Sequence, residues 1–100
     1  MRKEEVIRIL RENMDKIREF GVKRIGIFGS VARDEANEES DIDFVVEFEE
    51  NRGAMRDFIG LIDYLENLFG REIDLLTPSG IESIRIKSVR ERIKRELEYV

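Results

Sequence analysis

The chain has 100 residues, 41% of them hydrophobic and 41% charged, with a formal net charge of −5. That is enough for one small core beneath a heavily charged surface, and too apolar for a disordered chain, so residues 1–100 read as a single globular domain. There is no Cys and no His, which excludes disulfides, thiolate metal sites and imidazole chemistry and leaves carboxylates, hydroxyls, Lys, Arg and backbone for any catalysis.

In chain order, Val6, Leu10, Met14 and Ile17, flanked by Ile7 and Ile9, recur at helical spacing and predict a helix over 3–19, stopped by Gly21. The run VKRIGIFG reads as a short strand with Ile25 and Ile27 on one face and Gly29 following on it. SVARDEA holds a turn or two of helix, and NEES is loop. DIDFVVEF alternates, with Ile42, Phe44, Val46 and Phe48 on one face and Asp41, Asp43, Val45 and Glu47 on the other. Residues 54–69 form a second long helix on the stripe Met55, Phe58, Ile59, Ile62, Leu65 and Phe69, closed by Gly70. REIDLLTP is a third strand ended by Pro78, and Ser79 is the expected cap of a last helix over 81–97. The pattern predicts an α/β (α+β) fold: a small sheet with helices packed mainly on one face.

No run reaches the length of a membrane span, and MRKEEVIRIL lacks the apolar stretch of a signal peptide, so a cytoplasmic protein without membrane contact is expected. Charge is uneven. Residues 34–50 carry nine acids and no Lys or Arg, making that segment −9 and the rest +4. Arg85, Lys87, Arg90, Arg92, Lys94 and Arg95 crowd the C-terminal helix. Their spread suits a solvated amphipathic helix at least as well as a nucleic-acid contact, so direct nucleic-acid binding is not expected; the same helix equally suits docking of an acidic partner.

Asp41 and Asp43 lie two residues apart on one strand face, with side chains about 5–7 Å apart. Like charges about 4 Å apart repel by roughly 4 kcal/mol at an effective dielectric of 20, which asks for a compensating cation. With no His or Cys, a hard divalent ion held by oxygen, Mg²⁺ or Mn²⁺, is the natural partner. Asp74 alternates with Ile73 and Leu75 and would complete a three-carboxylate cluster able to hold two ions. A lone Asp-x-Asp is more often a solvated strand face. Gly29 and Ser30, ending a strand and opening a helical turn, offer backbone N–H groups and a hydroxyl to an anion, although a tight strand-to-helix turn uses the same pair. No GxxxxGK P-loop occurs.

Taken together, Gly29-Ser30-x-Ala32-Arg33, six residues, then Ser40-Asp41-Ile42-Asp43, with a third strand acid in Asp74, resemble the signature of the DNA polymerase β-like nucleotidyltransferase superfamily. The spacing is similar to that of the minimal nucleotidyltransferases of archaea and bacteria, and the resemblance spans nearly the whole chain. Phe44 stands where Leu is frequent, a core substitution. The resemblance implies a mixed sheet of three to four strands flanked by helices, palm-like, binding ATP or another nucleoside triphosphate with two Mg²⁺ ions. Gly29 and Ser30 would contact the triphosphate, Arg33 would support its charge, and Ser40 would orient the aspartates. Asp41 and Asp43 would ligate both ions, and Asp74 would ligate the ion nearest the attacking hydroxyl and act as its general base. The family setting implies an antitoxin that transfers AMP to a tyrosine of a HEPN-domain RNase toxin. The alternative is a non-catalytic module that neutralises its partner by occlusion.

Overall fold

The alternating strand that carries Asp41 and Asp43 in the sequence lies inside a mixed four-stranded sheet. A computed structural model describes residues 1–100. Its elements are α1 (Lys3–Glu12), α2 (Met14–Arg18), β1 (Val22–Phe28), α3 (Gly29–Ala32), β2 (Ile42–Phe48), α4 (Met55–Phe69), β3 (Ile73–Leu76), α5 (Pro78–Glu82), α6 (Lys87–Glu96) and β4 (Glu98–Tyr99). The sheet order is β3-β2-β1-β4. β1 runs antiparallel to both β2 and β4, whereas β2 and β3 are parallel, joined through α4. A parallel pair needs such a crossover, and α4 provides it by burying Leu61, Leu65 and Phe69, whereas Met55 and Ile59 of the expected stripe are exposed.

Strand alternation sorts the two cores. Ile25, Ile27, Ile42, Phe44, Val46, Ile73 and Leu75 point to one face, where they pack with Val6, Ile7 and Leu10 of α1, Ile17 of α2 and Leu61, Leu65 and Phe69 of α4. The other face carries a smaller cluster of Phe28, Val45, Ile81 and Ile93, so α5 and α6 cover part of it. The helices therefore flank both faces, with the larger core on the side expected. Every side chain that is fully buried is apolar. No helix is long and apolar enough to cross a membrane.

Three local readings change. The expected 3–19 helix breaks at Asn13, whose backbone leaves the helical region (φ −113°, ψ 15°) while its side-chain amide donates to the Ile9 carbonyl at 2.8 Å. Apolar periodicity runs on through the break, because Ile17 still faces the core, so the pattern hides it. The expected 81–97 helix is two helices, and the cap of the first is Thr77, not Ser79: Thr77 Oγ1 accepts the Gly80 N–H at 3.1 Å, with Pro78 at the first helical position. Thr77→Ala is expected to cost about 1 kcal/mol, and a thermal melt of the two proteins checks it. Finally, β4 is a strand that the sequence pattern did not indicate.

Candidate active site

The ladders fix where the acids go. Phe28 pairs with Asp43 across β1 and β2, and Asp43 pairs with Asp74 across β2 and β3. The Asp43 and Asp74 side chains thus leave the sheet on the same face, opposite the main core and beyond the smaller cluster around Val45. They come within hydrogen-bonding reach of each other. Asp43 is half-buried, and its carboxyl is pushed up to about 6. Burial is the largest cause, followed by the contact with Asp74 and the charges of Asp74 and Asp41; Arg33 opposes the rise. Asp41 lies one residue before β2 and is exposed, as is Asp74.

The three carboxylates do not stand as one finished cluster. Asp43 and Asp74 face each other, while no group of three or more acidic side chains is arranged to hold a metal ion. Asp41 acts on Asp43 through charge alone, because it sits outside the strand ladder that aligns the other two. The donor set is nevertheless all carboxylate oxygen, and a hard divalent cation matches that chemistry.

Gly29 follows Asp43's partner Phe28 and has φ +71°, the left-handed region. The space where a Cβ would project is filled by the Asp43 carboxylate: its Oδ2 would overlap such a carbon and its Cγ would lie 3.0 Å away. Glycine is required here so that the turn and the acid can touch. The Gly29 N–H donates to Glu96 Oε2 at 3.1 Å, and Arg33 Nη1 donates to Glu96 Oε1 at 2.7 Å. Arg33 also donates through Nε to Glu35 at 3.3 Å. Ser30 follows Gly29 in the first turn of α3 and is half-buried.

Ser40 serves the loop before β2. Its hydroxyl accepts the Asn37 N–H at 3.1 Å and lies 3.2 Å from Asn37 Oδ1. Arg71 Nη1 then donates to the carbonyls of Asn37 and Ser40 at 2.9 and 3.2 Å, tying this turn to the start of β3. Ser40 and Arg71 thus set the position from which Asp41 departs. The surface depressions of the molecule lie elsewhere, one along α1 and one beside the start of α4.

A family model described as nucleotidyltransferase domain matches residues 5–100. The chain belongs to the nucleotidyltransferase domain family. The protein adenylyltransferase MntA of Thermococcus cleftensis is 42% identical over 98 residues, covering 97% of this chain and 94% of that one. A candidate protein adenylyltransferase of Methanocaldococcus jannaschii, MJ1379, is 41% identical over 96% of this chain and 95% of its own length. A solved structure described as a candidate minimal nucleotidyltransferase superposes with a TM-score of 0.74 at 33% identity, covering 98% and 95% of the two chains. A toxin–antitoxin structure with AMP-PNP shares the fold at 18% identity, with a TM-score of 0.60 over 99% of this chain and 72% of that chain.

The mixed sheet and its flanking helices are those of a nucleotidyltransferase, and the chain is an enzyme of that class. Two residues of this nucleotidyltransferase's candidate site escaped the sequence reading. Arg71 gave no signal, since one Arg before a strand is common. Glu96 is an acid in a helix otherwise rich in bases, which in sequence resembles an i,i+4 partner for Arg92 and nothing more.

Proposed function

We propose that this chain is a Mg²⁺-dependent nucleotidyltransferase that moves AMP from ATP to a hydroxyl, the acceptor being a tyrosine of a HEPN-domain toxin for which it serves as antitoxin. The observation that carries this reading is the facing pair Asp43 and Asp74 beside the left-handed Gly29 turn. Relatives described as protein adenylyltransferases favour AMP and a protein acceptor. Structural neighbours described as toxin–antitoxin complexes, one of them MntA-HpeT, favour a toxin as partner. The exposure of Asp41 and Asp74 favours a large acceptor over one enclosed in a pocket.

Asp41, Asp43 and Asp74 would hold the metal. When bound, Mg²⁺ supplies charge for the triphosphate and makes the acceptor hydroxyl more acidic. Asp74, exposed beside Asp43, takes the hydroxyl proton as general base. The hydroxyl oxygen forms a bond to the α-phosphorus as the bond to the β-phosphate oxygen breaks, and pyrophosphate leaves with its electron pair. Arg33 and the N–H groups of the Gly29–Ser30 turn bind the leaving pyrophosphate and offset its charge. Arg71 and Ser40 keep Asp41 in position.

Incubation of the purified chain with α-labelled ATP, Mg²⁺ and the HEPN protein is expected to label that protein, and Asp41→Asn is expected to cut the rate by roughly 10²-fold or more. Labelling that survives Asp41→Asn unchanged would refute the mechanism.

A further inference from the structure

Glu96 is the last residue of the most basic helix in the molecule, yet its side chain turns inward. Only 14% of it is exposed. Its two carboxylate oxygens take separate donors, the Gly29 N–H and the Arg33 guanidinium, in charge-assisted hydrogen bonds. Gly29 is thereby flanked by two acids, Glu96 on its N–H and Asp43 against its α-carbon. A carboxylate with two acceptors spanning a backbone N–H and a guanidinium is shaped like the non-bridging oxygens of a phosphate, and answers the same donors.

We propose that Glu96 is the nucleotide's built-in competitor: its carboxylate holds the place of the triphosphate oxygens at Gly29 and Arg33, and ATP binds by displacing it. The inference rests on the nucleotide site proposed above and adds the anion that the nucleotide must replace. Keeping Glu96 in place beside a bound triphosphate would set an acid against a polyanion in a site that already holds Asp43 and Asp74, an arrangement that repels. A side-chain swing is enough to relieve it. Arg92 Nε lies 3.9 Å from Glu96 Oε1 one helical turn back and receives the displaced carboxylate. The backbone need not follow, because β4 holds Glu98 and Tyr99 on β1 immediately beyond. The competitor therefore lowers the apparent affinity for nucleotide by the fraction of molecules in which it is seated.

A residue that only buttressed Arg33 would have the opposite signature, since its loss would loosen the guanidinium and weaken binding. Titration of Mg²⁺ and AMP-PNP into wild type and Glu96→Gln by calorimetry separates the two. The glutamine keeps an oxygen for the Gly29 N–H and removes the charge. The expected result is binding roughly tenfold tighter in Glu96→Gln, the loss of one charge-assisted competing contact. Wild-type protein provides a second readout: in NMR the Gly29 amide and the Glu96 side-chain carboxyl ¹³C resonance are expected to shift together, with one dissociation constant, as AMP-PNP is added. Equal or weaker binding by Glu96→Gln, or a Glu96 carboxyl resonance that stays fixed while Gly29 shifts to saturation, overturns the inference and leaves the nucleotide site standing. Absence of AMP-PNP binding by both proteins overturns the site and the inference together.

Discussion

Asp43→Asn is expected to yield a protein that is more stable than wild type at neutral pH and inactive as a nucleotidyltransferase. In the fold the Asp43 carboxyl is raised from an ordinary 3.8 to about 6, chiefly by burial and then by Asp74. The folded chain therefore binds this proton more tightly than the unfolded chain. Stability from that proton is complete below about pH 4 and is lost as pH rises through about 6, so at pH 7 the ionised acid is a net liability. A difference of this size corresponds to about 3 kcal/mol for an enclosed group, and solvent around a half-exposed carboxyl reduces it to about 1 kcal/mol. Urea melts without divalent ions should show Asp43→Asn above wild type by that amount at pH 7.5, with the gap closing near pH 4. A gap that is absent, or that widens towards acid, would show that burial and the neighbouring Asp74 do not hold the Asp43 carboxyl above its ordinary range. The same substitution removes the carboxylate central to the candidate site, and transfer of AMP should fall by roughly 10²-fold or more. Stability gained where activity is lost is the mark of a strained functional group.

The acids were legible because strand geometry is rigid. A period of two places Asp43 opposite to Ile42 and Phe44 with little freedom, and the same rule carries Asp74 to the matching face of β3. Position before the strand is a weaker constraint: Asp41 keeps its neighbourhood but stays outside the facing pair. What the sequence could not disclose were contacts between distant segments. Glu96 reaches residues 67 and 63 positions earlier, and no local pattern encodes such a pairing. β4 is equally non-local, two residues whose strand character exists only because Gly26 and Ile27 offer a free edge. Helix breaks at Asn13 and between α5 and α6 escaped because Ile17 and Ile93 keep the apolar rhythm across them.

Gly29 has a second demand on it beside the one that the sequence suggests. The sequence suggests a glycine that admits a phosphate to the backbone, and the space a side chain would need is in addition filled by the Asp43 carboxylate. Gly29→Ala therefore has two separable costs. An alanine at φ +71° is strained by about 1–2 kcal/mol, and its methyl must drive Asp43 off its rotamer at about a further 1 kcal/mol. Together these should lower stability by about 2–3 kcal/mol and turn Asp43 away from Asp74, with loss of transfer comparable to that of Asp43→Asn. A double-mutant cycle with Asp43→Ala isolates the second cost. Once the carboxylate is gone, Gly29→Ala should retain only its backbone strain, so the two substitutions should be non-additive by about 1 kcal/mol in urea melts. Strict additivity would mean that the turn and the acid do not touch, and the glycine would then answer to the backbone alone.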